Sequence, residues 1–365
     1  MILGKIVKEL APSETNARNS EGAFIRMDDG RIAFAYSRYS SKTHNDGGAC
    51  DIAVCFSLDE GETFCEPKIF LTHEDCDAFN IMSVSLLKMN DGSIGVFYLK
   101  KSRNLQCSYY MRRTFDFVSF TDEVRCISED GYFTVNNDRV RRLKSGRIVF
   151  PSAYFALKKL TQNADHDDYS KVLFSKAIAK IHYSDDDGAT WHTSKSIAIL
   201  ESEISGTGLQ EPGVEELDDG RLYFYYRNDL GRQYQAYSVG ENFILSKPEP
   251  SLFTSPQSPL SSKRLSNNKI AIVYNPIPLY NGRKDRFGNT FTGGRNPLVI
   301  RFTDGNFANL EEIIEIENDE SRGFCYCTIF ETQDSLLLAY CAGGAGEPST
   351  LVRTRIRKIL KKDLF

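Results

Sequence analysis

The sequence lacks the features that mark several common classes of protein. No apolar run approaches the roughly 18 residues that a membrane-spanning helix needs. Basic residues are not in excess, 45 against 49 acidic ones, which disfavours general nucleic-acid binding. The nine cysteines form no CxxC pair, and the first residues carry charges at Lys5, Lys8 and Glu9, unlike a secretory signal. We therefore expect a cytoplasmic protein with reduced thiols and with neither a nucleic-acid nor a membrane partner.

What the sequence does contain is a repeated phrase, a polar turn that is often Asp-Gly followed by an apolar run rich in Tyr or Phe. Another apolar stretch precedes each copy, and two such runs around a short turn are typical of a β-hairpin. The turns are anchored at residues 30, 92, 146, 220, 268 and 335, about 61 residues apart on average, so six units fill the chain. The copies span residues 28–38, 90–100, 144–154, 218–228, 266–276 and 332–342.

Six hairpin units of this length predict an all-β fold, a six-bladed β-propeller formed by one domain over residues 1–365. A single hairpin cannot bury both of its faces, whereas radially packed sheets can. Residues 160–171 are polar and are expected to form a loop insertion. The last segment, 353–365, alternates in a way that favours an edge strand over a helix.

A second motif, Ser-x-Asp-x-Gly-x-Thr-aromatic, occurs at residues 57–64 and 184–191. The Asp is expected to cap backbone N–H groups, the Gly to adopt a positive φ, and the aromatic ring to pack between blades. Residues 303–307 and 238–243 resemble degenerate copies. This motif is the Asp-box of the sialidase (neuraminidase) superfamily, which the chain resembles over essentially its whole length.

That resemblance implies a six-bladed propeller of the sialidase fold and assigns candidate residues. In QEPGVEELDDGRLYFYYRN (210–228), Glu211 matches the buried base and Arg227 a carboxylate-binding arginine. In GGRNPLVIRFTDG (293–305), Arg295 matches a second such arginine. In FCYCTIFETQDSLLLAY (324–340), Tyr326 matches the nucleophile.

The first unit departs from the family pattern. Where an Arg-Ile-Pro triplet is expected, the chain has Arg18 followed by Asn-Ser-Glu, and Glu21 and Arg38 stand near it as rivals. An acidic residue about six positions before an Asp-box matches the acid/base aspartate, which indicates Asp51, with Asp46 as its competitor.

The resemblance implies an exo-glycosidase that hydrolyses a terminal sialic acid or related acidic sugar from a glycan, with retention of configuration. Guanidinium groups match the planar fork of a carboxylate, so Arg18, Arg227 and Arg295 would bind the acid group of the sugar. Sialidases use a tyrosine nucleophile, which a charged sugar does not repel. Asp51 would protonate the leaving oxygen and then activate water.

Polar residues that open the second and third units are expected to contact sugar hydroxyls: Asn80, Asn137, Asp138 and Arg139. The sequence predicts neither a cofactor nor a metal. His166, Asp167 and Asp168 in the polar insertion are more typical of a solvated loop than of a metal site.

Two other functions remain open. One is a propeller glycosidase of different sugar specificity that uses paired carboxylates such as Glu21 and Glu211. The other is a non-catalytic glycan-binding propeller, because a fold alone does not fix a function.

Overall fold

The computed structural model describes residues 2–102, 106–156, 176–239, 243–280 and 294–365, and in them the chain forms 26 β-strands and one 3-10 helix, Lys361–Asp363. In chain order the strands are β1 (Lys5–Leu10), β2 (Arg18–Arg26), β3 (Ile32–Tyr39), β4 (Cys50–Ser57), β5 (Lys68–Leu71), β6 (Asn80–Lys88), β7 (Ile94–Lys101), β8 (Cys107–Thr114), β9 (Val124–Arg125), β10 (Tyr132–Thr134), β11 (Arg141–Arg142), β12 (Ile148–Phe155), β13 (Ile178–Ser184), β14 (His192–Ala198), β15 (Gln210–Glu216), β16 (Leu222–Arg227), β17 (Arg232–Val239), β18 (Ile244–Leu245), β19 (Glu249–Thr254), β20 (Ser261–Arg264), β21 (Ile270–Tyr274), β22 (Leu298–Thr303), β23 (Ile314–Glu317), β24 (Cys325–Glu331), β25 (Ser335–Cys341) and β26 (Thr354–Leu360).

The strands form an all-β arrangement of five sheets. Three sheets have four strands each, in the orders β2-β3-β4-β5, β20-β21-β22-β23 and β1-β26-β25-β24, and a fourth contains β15 to β19. The fifth has nine strands, and it consists of two antiparallel groups, β6 to β9 and β10 to β14. A single parallel residue pair, Tyr132 with Cys107, joins the two groups. Within the described residues, no helix is both long and apolar enough to cross a membrane.

All six predicted hairpins are confirmed as antiparallel strand pairs: β2–β3, β6–β7, β11–β12, β15–β16, β20–β21 and β24–β25. Four of the turns use a glycine with φ between 83° and 90°, a conformation that side chains with a Cβ atom disfavour. Those glycines are Gly30, Gly92, Gly146 and Gly220. Asp-Gly at three of these turns, and Ser-Gly at the fourth, therefore mark the hairpins correctly.

The C-terminal segment is a strand, as predicted, but it is not an edge strand. β26 lies between β25 and β1, and six of its seven residues are buried. β1 pairs with it from Lys5–Lys358 to Leu10–Thr354 and covers the outer side. The sequence pattern missed β1 because its exposed lysines and Glu9 carry little strand signal.

Both Asp-boxes have the predicted structure. Asp59 accepts a hydrogen bond from the Thr63 backbone N–H at 2.9 Å, and Asp186 accepts the equivalent bond from Thr190 at 2.8 Å. The aromatic residue that ends the first box, Phe64, is buried in an apolar cluster. The copy at 303–307 is degenerate, but its Asp304 also accepts a hydrogen bond from a backbone N–H, that of Ala308. Part of the copy at 238–243, residues 240–242, and the whole 160–171 insertion lie outside the described residues.

A β-bulge recurs in the first strand of several hairpins. The register shifts by one residue in β2, β6, β15 and β24, so that two residues of each strand lie opposite one residue of its partner, and a residue with positive φ sits at each shift. A fifth such residue precedes β11. We call these five the bulge residues: Glu21, Ser83, Asp138, Glu211 and Tyr326, with φ between 43° and 58°. Non-glycine residues in this region cost roughly 1–3 kcal/mol each and are frequent at functional sites.

Candidate active site

The bulge residues lie where the first strands of the hairpins meet. β2 contacts both β6 and β24, and β15 contacts β20, which in turn contacts β24. The third unit joins the same centre, because the Asp138 N–H donates to the carbonyl of Val84 at 3.0 Å. The repeated bulge therefore brings side chains that are far apart in sequence to one place.

Tyr326 and Glu211, two of the bulge residues, are joined by a short hydrogen bond. The Tyr326 hydroxyl donates to Glu211 Oε1 at 2.5 Å, although 115 residues separate the two. Arg227 Nη1 lies 2.7 Å from the same carboxylate oxygen and 3.4 Å from the Tyr326 oxygen. Two buried atoms, Glu211 Oε2 and Arg227 Nε, have no hydrogen-bond partner among the described residues. A phenol, a carboxylate and a guanidinium thus share one small volume.

The electrostatics give the phenol and the carboxylate different protonation states. Burial raises the pKa of Tyr326 well above its usual value, and the charge of Glu211 raises it further. Burial also opposes ionisation of Glu211, but Arg227, the Tyr326 hydroxyl and Arg295 outweigh it and lower the pKa of that carboxyl. At neutral pH the pair is therefore a neutral tyrosine donating to an ionised glutamate, which can accept its proton.

Arg295 stands on the other side of the tyrosine. Its guanidinium carbon lies 5.5 Å from the centre of the Tyr326 ring, and its Nη1 contacts Cys325 Sγ at 3.0 Å. Among the described residues, no carboxylate lies within ion-pair distance of Arg295. The site therefore contains one guanidinium, that of Arg295, whose charge no described acidic partner neutralises.

Arg18 and Glu21 form a second ion pair in the first unit. Arg18 Nη2 lies 2.5 Å from Glu21 Oε1, and both side chains are buried. Ser83, the bulge residue of the second unit, donates a short hydrogen bond to Glu21 Oε2. Burial raises the pKa of Glu21, an effect that the neighbouring Arg18 opposes.

The two aspartates that competed for the acid/base role occupy different environments. Asp51 Oδ1 accepts from the His73 backbone N–H at 3.0 Å and contacts His73 Nδ1 at 2.6 Å. Because successive strand residues face opposite sides, Asp51 points away from the face that Cys50 shares with Tyr39 and Arg18. Asp46 instead lies 2.6 Å from Arg18 Nη1 with its side chain 57 % exposed. Of the two, Asp46 is the one that the structure places beside the arginine.

Asn137 and Asn80 contribute amide groups near these pairs. Asn137 Nδ2 donates to the carbonyls of Gly22 and Tyr326, at 2.8 and 3.3 Å, and so links the first and sixth units. Asn80 Nδ2 donates to Gly48 O at 2.6 Å, in the loop that carries Asp46. The Oδ1 atoms of both side chains are buried without a partner among the described residues. Both amide oxygens therefore keep unused capacity to accept a hydrogen bond, although they are buried.

Two other predicted sugar contacts belong to a buried network. Asp138 Oδ2 accepts from Thr328 Oγ1 at 2.8 Å, and Lys263 Nζ lies 3.6 Å from its other oxygen. Arg139 is 1 % exposed and donates to Leu260 O at 2.7 Å. Neither side chain contacts the Tyr326–Glu211 pair, so they connect the units beneath it.

Arg38 is also separate from the Tyr326–Glu211 pair. It pairs with Asn19 across the hairpin and lines a different cavity together with Asn19, Tyr36 and Lys8. The remaining motif named from sequence, His166 with Asp167 and Asp168, lies outside the described residues.

Sequence reasoning missed Ser83 and favoured Asp51 over Asp46. A signal for the bulge residues exists, since Glu21, Ser83, Glu211 and Tyr326 each stand nine residues before the turn anchor of their unit. Asp138 stands eight before its own anchor at Gly146. A constant offset from the turn would therefore have identified Ser83.

The model of the family described as BNR repeat-like domain matches residues 134–338, more than half of the chain. The chain belongs to this family. No curated protein sequence matches it.

Solved structures similar to the chain include sialidases at low sequence identity. An intramolecular trans-sialidase from Ruminococcus gnavus is 12 % identical with a TM-score of 0.69, and the match covers 99 % of this chain and 98 % of that one. A leech intramolecular trans-sialidase, complexed with 2,7-anhydro-Neu5Ac, is 12 % identical at a TM-score of 0.71, over 100 % of this chain and 71 % of that one. A Dyadobacter fermentans protein of unknown function is 18 % identical at 0.70, over 97 % and 99 %. At these identities the likeness shows the sialidase fold alone.

Proposed function

We propose that this protein is a retaining exo-glycosidase of sialidase type that removes a terminal sialic acid or related acidic sugar from a glycan. One observation carries the proposal, the 2.5 Å hydrogen bond from Tyr326 to Glu211 with Arg227 on the same carboxylate oxygen. A neutral phenol held against an ionised carboxylate is a nucleophile with its base in place.

In the first step, the Tyr326 oxygen attacks the anomeric carbon while its proton passes to Glu211. The bond from that carbon to the leaving oxygen breaks, and the leaving oxygen takes up a proton. In the second step, water attacks the same carbon, the tyrosine oxygen leaves, and Glu211 returns the proton to it. Two displacements at one carbon retain its configuration.

The acid group of the sugar would bind between Arg227 and Arg295. Both guanidiniums lie next to Tyr326, one 3.4 Å from its oxygen and one over its ring. Arginine binds carboxylates through paired N–H donors, and a nearby positive charge also stabilises a tyrosinate as it forms.

Asp46 is the residue we assign to proton transfer at the leaving oxygen and at the attacking water. Its side chain is exposed and lies in the loop between β3 and β4. Partial desolvation by the surrounding protein opposes ionisation of its carboxyl, but Arg18 and Lys101 outweigh that effect and lower the pKa of Asp46 to about 2. In the free protein Asp46 is thus ionised, ready to act as the base, and it must take up a proton before it can act as the acid.

We also propose that the fold is a six-bladed propeller over residues 1–365, in which the nine-stranded sheet contributes two blades. Support comes from the six hairpins and from the contacts that link their first strands, β2 with β6, β15 with β20, β20 with β24 and β24 with β2. A glycan is the expected partner.

The test measures release of 4-methylumbelliferone from its sialic acid glycoside, with the glucuronide and the arabinofuranoside beside it. Wild type should cleave the sialoside alone, and Tyr326→Phe should lower kcat by on the order of 10³-fold or more, because the nucleophile is gone. Tyr340→Phe removes a buried hydroxyl outside this site, and it serves as the matched control. Sialoside turnover retained by Tyr326→Phe would contradict the proposal.

One observation favours a second candidate, a glycosidase with paired carboxylates. Glu21 and Glu211 occupy equivalent bulge positions in the first and fourth units. In that enzyme Glu21→Gln would abolish turnover and Tyr326→Phe would not. The turnover of these two variants therefore decides between the candidate functions.

A further inference from the structure

The guanidinium of Arg18 is almost fully occupied by the protein itself. Nε donates to Ser20 Oγ at 2.7 Å, and Nη1 donates to Asp46 Oδ1 at 2.6 Å and to His44 O at 3.3 Å. Nη2 donates to Glu21 Oε1 at 2.5 Å. These bonds use four of the five N–H groups that an arginine has.

The faces of the Arg18 guanidinium are also covered. Its central carbon lies 4.6 Å from the centre of the Tyr39 ring, and the whole residue is 1 % exposed. Arg227 differs, because its side chain is 12 % exposed and its Nε is unbonded among the described residues. An incoming acid group can therefore reach Arg227 and Arg295, whereas reaching Arg18 would require it to displace Glu21 or Asp46.

Glu21 is the residue that fixes this arrangement. It bonds Arg18 through one oxygen and accepts from Ser83 through the other. Its position is close to the nucleophile, since one amide, that of Asn137, bonds both the carbonyl of Gly22 and that of Tyr326. A carboxylate at this corner repels an anion and accepts hydrogen bonds from neutral donors.

We propose that Glu21 is a specificity-determining residue, which holds Arg18 away from the ligand and leaves recognition of the sugar's acid group to Arg227 and Arg295. The substrate class is then an acidic sugar that presents a hydroxyl or amide donor, not an anion, to the Glu21 corner. This inference rests on the proposed function, because it concerns the same site.

The test compares binding of 2-deoxy-2,3-didehydro-N-acetylneuraminic acid, and of its methyl ester, by titration calorimetry. Glu21→Ser frees the Nη2 group of Arg18 and removes a negative charge, so we expect the acid to bind about tenfold more tightly than to wild type and the ester to bind equally well to both. Glu21→Gln keeps the shape, retains an acceptor for Arg18 and should give a smaller gain, of about threefold. Ser83→Ala leaves Glu21 on Arg18 and should change the affinity by less than twofold.

Weaker or unchanged binding of the acid to both Glu21 variants, each with a cooperative thermal unfolding transition, would overturn the inference. If wild type also cleaves the sialoside in a Tyr326-dependent way, only the role of Glu21 is refuted and the proposed function stands. If neither wild type nor either Glu21 variant binds the acid, and wild type does not cleave the sialoside, both are refuted together. An equal gain for the acid and the ester would contradict the charge argument specifically.

Discussion

The site contains two arginine–glutamate pairs that resemble each other closely and differ in their third partner. Arg227 with Glu211 and Arg18 with Glu21 both join a guanidinium to a glutamate in a strained bulge, at 2.7 and 2.5 Å. Glu211 then accepts from a tyrosine hydroxyl, whereas Glu21 accepts from the serine at position 83.

Exposure separates the two pairs as well. Arg227 and Glu211 have side chains 12 % and 15 % exposed, against 1 % and 5 % for Arg18 and Glu21. Two copies of one backbone device therefore serve different ends. The Arg227–Glu211 pair is partly exposed and bonds a tyrosine hydroxyl, so it suits proton transfer. The Arg18–Glu21 pair is buried, so it suits a structural and electrostatic role.

The largest contrast should appear in turnover. Glu211→Gln removes the base for Tyr326, and we expect kcat on the sialoside to fall by about 10²–10⁴-fold, the usual contribution of general base catalysis. Glu21→Gln should retain kcat within about threefold. Steady-state kinetics on the two variants checks this, and a comparable loss in both would erase the distinction between the pairs.

Folding stability should show the opposite order. Arg18→Met leaves Glu21 buried without its cation and also releases Asp46, so we expect a loss of about 3–5 kcal/mol in the free energy of unfolding. Arg227→Met leaves a more exposed glutamate that still accepts from Tyr326, and we expect a loss of about 1–2 kcal/mol. Urea denaturation measures both. Equal losses would show that the sealed pair holds the fold no more firmly than the open one.

The pH dependence of stability should separate the glutamates. Burial raises the pKa of Glu21, so its contribution is fully present below the unfolded value of about 4.3 and is lost as pH rises through its folded pKa. The pKa of Glu211 is lowered, against burial, by Arg227, Tyr326 and Arg295, so its contribution is present above about 4.3 and is lost as pH falls.

Unfolding free energies of wild type, Glu21→Gln and Glu211→Gln from pH 3 to pH 8 (roughly the range over which carboxyl groups titrate) test these signs. Relative to wild type, Glu21→Gln should gain stability as pH rises, and Glu211→Gln should lose it. Parallel curves for the two variants would show that the local fields around the carboxyls are alike.

The smallest effect on stability should come from removing the hydroxyl group that donates to each glutamate. Ser83→Ala leaves Glu21 Oε2 buried without its donor, and we expect a loss of about 1–2 kcal/mol in the free energy of unfolding. Tyr326→Phe removes the hydroxyl from the partly open Glu211, and it should cost less than about 1 kcal/mol while eliminating turnover. Thermal and urea unfolding of both variants supply the comparison, and a larger loss of stability in Tyr326→Phe would reverse it.

Much of this fold could be predicted from the sequence, because Asp-Gly turns and apolar alternation are local signals. The hairpins and both Asp-boxes needed nothing else. Tyr326, Glu211 and Arg227 were also within reach, since the family resemblance supplied roles and the structure brings their side chains into contact. The order of strands within a sheet could not be predicted in this way. β1 and the inner position of β26 depend on pairing between opposite ends of the chain.

The two candidates for the acid/base role, Asp51 and Asp46, show the limit most clearly. Counting back from an Asp-box indicates Asp51, but strand alternation turns that side chain to His73, and the loop before it carries Asp46 to Arg18. Likewise, no local pattern predicts that Ser20, Glu21, His44 and Asp46 together occupy four of the five N–H groups of Arg18. Such outcomes depend on which side chains meet in space, and sequence spacing does not determine that.

The nearly constant distance from bulge residue to turn has a consequence for how such a site can change over time. In each of the five units that contain a bulge residue, that position has a positive φ, although four different residue types occupy it. A single codon change there exchanges the chemistry presented to a ligand and leaves strand pairing intact. The same backbone could therefore carry other residues than the glutamate, serine, aspartate, glutamate and tyrosine present in this chain. New specificities can arise in this way without a change of fold.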